Sequence, residues 1–142
     1  MPYLVIDGYS SSLLILSLLV LIVVLQSLIA TVAHRKQSQY VPGIVDGTLD
    51  HGSFVFRSHR TFQNSLENVP IFALSVILAI FIGLSSTTVF WCTLIFTFAR
   101  LIHMVLFYKI ATNKNPSPRS YFYLIGFFTQ LTLSVMTVLA AI

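Results

Sequence analysis

The chain has 142 residues, 56% of them hydrophobic and only 8% charged, with a net charge of +4 at neutral pH and a mean hydropathy of +0.89. Soluble domains hold about 25% charged residues, so this composition excludes a water-soluble globular domain and predicts an integral membrane protein. The positive excess sits mostly in short loops, and no nucleic-acid surface follows from it.

Residues ahead of the first apolar run include Asp7 and no lysine or arginine. A secretory signal peptide begins with basic residues and ends in a small-residue cleavage site, so the first helix is expected to remain in the mature protein. A membrane span needs roughly 20 apolar residues, and four stretches qualify: 12–33, 62–84, 88–110 and 120–141. The run LLILSLLVLIVVL is continuously apolar, whereas a membrane β-barrel would alternate every second residue. The expected fold is all-α, a single four-helix transmembrane bundle occupying nearly the whole chain.

The loop from His34-Arg35-Lys36 to His59 is punctuated by turn signals at Pro42-Gly43, Asp46-Gly47 and His51-Gly52. The loop 83–87 carries no charge, while the third loop holds Lys114 and ends at Arg119. Basic loops stay on the cytoplasmic side. Loops 1 and 3 are therefore expected to be cytoplasmic, with both termini on the other side.

At 100° per residue, Arg57, Arg60, Asn64 and Glu67 fall within an arc of about 80° on the first turns of the second helix. Headgroup anchoring explains basic residues at a span end. It fails for Glu67, which lies one to two turns inside, where an ionisable group is functional or paired within the bundle. Arg100 lies near the middle of the third span, roughly 15 Å from its cytoplasmic end, and exposing it to lipid would cost several kcal/mol. Glu67 and Arg100 are expected to approach each other on the bundle interior, directly or through ligand or water. A purely structural ion pair is the alternative. His103 and Phe107 follow on the same face of that helix.

Pro116-Ser117-Pro118 breaks the chain before the fourth helix, on which Arg119, Tyr123, Gly126, Gln130, Ser134 and Thr137 form one stripe. Its lower part reads as helix packing through small and polar residues. Arg119 and Tyr123, together with Arg35, Arg57 and Arg60, gather cations and hydroxyls opposite one intramembrane carboxylate. That excess suits an anionic, peptide-like ligand. Arginine forks bind carboxylates, Glu67 accepts from an ammonium, and Asn64 bonds an amide. Cys92 stands alone and reads as a small buried hydrophobe. His34, His51, His59 and His103 lack a short ligand spacing, so no metal site is expected. Trp91 near one face and Tyr108, Tyr121 and Tyr123 near the other match interfacial aromatic belts.

The string R-x-x-x-N-x-x-E-x-x-P of helix two, Arg60, Asn64, Glu67 and Pro70, resembles the signature of the MAPEG family, the membrane-associated proteins of eicosanoid and glutathione metabolism. The upstream VDG turn and Arg57-Ser58-His59-Arg60 are similar to its bacterial members, and Ala99-Arg100-Leu101-Ile102-His103 is similar to helix three of its prostaglandin synthase branch. The resemblance implies a homotrimer of four-helix protomers in a bacterial inner membrane. Glutathione would be bound between neighbours near the cytoplasmic face, and a hydrophobic electrophile or lipid hydroperoxide would arrive from the membrane lipids. It also implies that Arg60, Asn64, Glu67 and His103 bind glutathione, and that Arg119, Ser120 or Tyr123 activates its thiol. Phe107 stands where the synthase branch has a tyrosine, and the register of Arg35 against the family's helix-one arginine is open. Both departures weaken an assignment to prostaglandin or leukotriene synthesis.

A thiol of pKa near 8.5 is mostly protonated at neutral pH, and a nearby guanidinium favours the thiolate that attacks electrophiles. The expected activity is conjugation of glutathione to a lipophilic electrophile, with reduction of lipid hydroperoxides by the same thiolate as a companion reaction. Two other classes compete. A non-catalytic lipid-binding scaffold of the same fold would not need the intact Arg60, Asn64 and Glu67. A small transporter subunit would show paired, interrupted helices, which the sequence lacks.

Overall fold

The computed structural model describes residues 7–142. Residues 1–6, part of the leading stretch read above against a signal peptide, lie outside the described residues. A short 3-10 turn, Asp7–Tyr9, leads into four helices: α1 (Ser10–His34), α2 (Phe54–Ile82), α3 (Ser86–Lys109) and α4 (Pro118–Ala141). Among the described residues there is no β-strand, only an isolated bridge between Val41 and Ile44. All four helices are long and apolar enough to cross a membrane. At 1.5 Å per residue, even the 24-residue helices reach about 36 Å, against a hydrocarbon core of roughly 30 Å. The protein is an all-α, multi-pass membrane bundle.

Helix α2 starts eight residues before the apolar run, because Phe54 to Thr61 continue the helical hydrogen bonding beyond the apolar region. That extension carries Arg57 and Arg60 on a rigid helix rather than in a loop. At its other end Gly83 adopts φ 80°, the left-handed conformation that closes a helix and that glycine takes without steric cost. The N–H of Leu84 then reaches back to the carbonyl of Ala79 at 2.9 Å.

Packing is extensive between α3 and α4 and between α1 and α2. Helices α2 and α3 also touch each other, whereas α1 stands away from α4. In cross-section this is a rhombus whose short diagonal joins α2 to α3. The apolar core lies along that diagonal, where Phe72 and Phe96 stack in parallel with ring centroids 3.7 Å apart and both are buried. Tyr9, Leu16, Leu19, Val76, Val89 and Leu133 close around them.

The stripe of small and polar residues on α4 faces inward: Gly126 and Thr137 are buried, and Ser134 meets Ser75 of α2 hydroxyl to hydroxyl at 3.2 Å. Gly126 lets the Arg100 side chain pass, with Arg100 Cδ 3.6 Å from where a Cβ would stand. Hydrogen bonds between membrane helices contribute about 0.6 kcal/mol on average. Ser134→Ala should therefore lower the detergent melting temperature by only a degree or two, and a collapse of the fold would contradict this placement.

Candidate functional site

The site lies at the end of the bundle that carries loops 1 and 3, and it has two connected layers. The inner layer is built around Arg100. The buried face of α3 comprises Val89, Thr93, Phe96, Thr97, Ala99, Arg100, His103 and Phe107, so the guanidinium points into the bundle and is only 4% exposed. Its Nη2 donates to Asn64 Oδ1 at 2.5 Å. His103, one turn on, is equally buried, and the Tyr123 ring faces it at 6.4 Å. Two polar atoms of this layer, Arg100 Nε and His103 Nδ1, are enclosed without a hydrogen-bond partner. A buried donor left that way costs about 1–3 kcal/mol, which suits a cleft that receives a polar ligand.

The expected approach of Glu67 to Arg100, directly or through ligand or water, does not take the form of a direct ion pair among the described residues. Glu67 is close enough for its charge to act on Arg100, but among the described residues it makes no ion pair within 4.0 Å, and Asn64 takes the guanidinium instead. The reason is angular. The buried face of α2 runs through Ser58, Thr61, Ser65, Val69, Phe72, Val76 and Ala79. Arg60 and Glu67 sit roughly 140–160° around the helix from its centre, whereas Asn64 lies on the flank toward α3. Both Arg60 and Glu67 are accordingly exposed on the protomer surface.

The outer layer surrounds Arg119, which is 8% exposed. Its guanidinium lies over the Phe107 ring at 4.2 Å, a favourable cation–π arrangement. Its Nη2 donates to the carbonyl of Thr112 at 2.8 Å and its Nη1 to that of Ile110 at 3.4 Å. It thus satisfies carbonyls just beyond the C-terminus of α3, where a cation is also favoured by the helix dipole. Nη2 further approaches His51 Nδ1 at 3.4 Å. Arg57 completes the layer, with Nη1 donating to the carbonyls of His51 at 2.6 Å and Gly52 at 2.9 Å, and Nε to that of Tyr108 at 3.4 Å.

Loop 1 is tied down by its own acids. The Asp50 carboxylate accepts from the N–H of Gly52 at 2.8 Å and from Asn113 Nδ2 of loop 3 at 3.2 Å. Those two bonds, the backbone one first, hold its carboxyl below the usual range. Asp46 is lowered in the same way by the N–H and hydroxyl of Thr48. Burial, then the neighbouring Arg119, pushes the His51 imidazole below its ordinary 6.5.

The protomer brings most of the sequence-predicted residues together. Asn64, Arg100, His103 and Tyr123 share the inner layer, and Arg57 and Arg119 share the outer one. Phe107 links the two, lying 5.5 Å from His103 and beneath Arg119. Ser120 lies at the start of α4, where its Oγ accepts from the N–H of Ser117 at 3.1 Å and so caps the helix. Arg35 is not part of this group. It lines a separate cavity of about 330 Å³ on the α1 side of α2, with His34, Tyr40, His59 and Gln63. Sequence reading missed His51, Asn113 and the arginine-stacking role of Phe107. His51-Gly52 was legible only as a turn, and nothing in the spacing ties it to a residue 68 positions later.

No curated protein and no solved structure matches the chain. The model of the MAPEG family matches residues 12–139, an interval that takes in α2 and α3, nearly all of α1 and α4, and every residue of both layers. With that match, the chain belongs to the MAPEG family, the membrane-associated proteins of eicosanoid and glutathione metabolism.

Proposed function

We propose that the protein is a membrane glutathione transferase that joins glutathione to a lipophilic electrophile. The observation that carries this reading is the buried Arg100, held by Asn64 beside the enclosed His103, within a chain of this family. A lipid scaffold has no need to bury a guanidinium and leave part of its donor set open. Glutathione offers carboxylates to Arg57 and Arg60, an ammonium to Glu67 and amides to Asn64. Its thiol, near Arg119, Ser120 and Tyr123, gives its proton to water and becomes the thiolate. The thiolate sulfur then attacks the electrophilic carbon, forming a C–S bond while the leaving group departs with its electron pair, or while an added proton completes a conjugate addition.

The exposed positions of Arg60 and Glu67 and the detached Arg35 support a site shared between copies of a homotrimer, with Arg35 supplied by a neighbour. In this reading loops 1 and 3 face the cytoplasm of a bacterial inner membrane, and the electrophile enters from the lipid. The testing experiment is product analysis with the detergent-solubilised protein, glutathione and an α,β-unsaturated carbonyl lipid. Thioether formation above the uncatalysed rate supports it. Glutathione binding without thioether formation from any electrophile would favour the non-catalytic scaffold.

Sharing makes a sharper forecast. Arg35→Ala and Glu67→Gln should each weaken glutathione binding, but coexpressed chains should recover about a quarter of the sites by random cyclic assembly, because Arg35 and Glu67 of one site then come from different chains. No recovery in verified mixed oligomers would put both residues of a site on one chain. Arg60→Ala should raise KM more than it lowers kcat, because its ion pair holds glutathione in ground and transition states alike.

A further inference from the structure

We infer that His51 is the positioning residue of Arg119: its Nδ1, acting as a hydrogen-bond acceptor, fixes the guanidinium over the Phe107 ring at the mouth of the site. The two backbone carbonyls that hold Arg119, those of Ile110 and Thr112, both come from the end of α3 and the residues just after it. The contact of Nη2 with His51 Nδ1 at 3.4 Å is the one that arrives from loop 1. His51 is itself well placed to serve as a fixed post. Its carbonyl accepts from Arg57 at 2.6 Å, and its ring lies edge-on to Phe56 at 4.9 Å and tilted on Phe107 at 5.6 Å. Asp50 beside it clasps Asn113 of loop 3. Phe107 therefore supports both partners of the contact.

The chemistry requires a neutral imidazole with Nδ1 unprotonated. A protonated His51 would turn an N–H toward another N–H and add a cation to a crowded set. The charged groups acting on His51 are Asp50 of loop 1, Arg57 and Arg60 of α2, and Arg119 of α4, while α3 contributes the uncharged Phe107 ring. One carboxylate faces three guanidiniums. The acceptor form is accordingly kept at neutral pH and lost only as the pH falls through the depressed value.

This inference rests on the assignment of Arg119 to the glutathione thiolate, and the experiment separates the two. Thiolate absorbance against pH is followed with glutathione bound to the full-length protein in wild type, Arg119→Ala, His51→Ala and His51→Asn. Asparagine places an uncharged acceptor oxygen where Nδ1 stands. His51→Ala should raise the bound thiol's pKa, lowering the thiolate fraction at neutral pH by up to about tenfold, and His51→Asn should restore it. If Arg119→Ala raises the thiol pKa while His51→Ala leaves it unmoved, the positioning role is overturned and the thiolate assignment stands. If Arg119→Ala leaves it unmoved, the thiolate assignment falls. A second arm needs no glutathione: by NMR of histidine-labelled protein, the His51 titration should move up toward its ordinary range in Arg119→Ala. An unchanged titration there would overturn the contact itself.

Discussion

Arg119→Ala is expected to lower turnover with an electrophilic substrate on the order of a hundredfold, and to raise the pKa of the bound thiol toward its free value. The cause is electrostatic. Arg119 is nearly fully buried, stacked on Phe107 at 4.2 Å and oriented by the carbonyls of Ile110 and Thr112, so it is a preorganised cation that need not reorganise as negative charge develops on sulfur. Lysine should restore part of the loss, because a point charge still favours the anion but lacks the planar fork and the ring stacking. The same carbonyl contacts predict a second effect. Losing the cation at the end of α3 should cost about 1 kcal/mol of stability, so turnover must be compared at matched folded fractions. Pre-steady-state absorbance of the thiolate in wild type, Arg119→Ala and Arg119→Lys checks it. An unchanged thiol pKa in the alanine variant would reduce Arg119 to a clasp between α3 and α4 and move activation to Tyr123 or Ser120.

Asn64→Leu is expected to be the most destabilising single change in the polar interior, by about 3–5 kcal/mol. It removes the acceptor from Arg100 Nη2 and leaves a guanidinium that is 4% exposed buried without it. The charge cannot escape by snorkelling, since the side chain is enclosed in the bundle and its stem passes against Gly126. Asn64→Asp should keep most of the stability, because a carboxylate oxygen accepts the same bond. The double variant Asn64→Leu, Arg100→Leu should melt above Asn64→Leu alone, since removing both polar partners removes the desolvation debt. Thermal unfolding of the four proteins in one detergent checks this. A single-variant loss below about 1 kcal/mol would mean that Arg100 finds another acceptor.

How much of this was legible in sequence differs by residue, and the reasons are physical. The four spans could be read because a bilayer demands continuous apolar length, and LLILSLLVLIVVL meets that demand without help from tertiary contacts. The inward stripe of α4 was equally visible, since Gly126, Ser134 and Thr137 recur at helical spacing. Arg100 was recognisable as buried from its cost in lipid alone. Its partner was not. Asn64 and Glu67 differ by only 60° around α2, and which of them meets α3 depends on the rotation of the helix about its axis, which its full set of packing partners sets. The apolar span 62–84 begins later than the helix that carries it, since Phe54 to Thr61 are helical but interrupted by Arg57, Ser58, His59 and Arg60, and a hydropathy criterion stops where the membrane does. His51 and Asn113 were invisible because loop-to-loop contacts obey no period.

The claim on which the rest depends is that this bundle binds glutathione through the α2 stripe and the Arg100 layer. Isothermal calorimetry of glutathione into the purified, detergent-solubilised protein tests it most directly, with Glu67→Gln and Asn64→Asp measured alongside. The account predicts saturable binding by the wild type, weakened in both variants while both remain folded. A folded wild-type protein that gives no heat above dilution at millimolar glutathione, or variants that bind as tightly as the wild type, would contradict it.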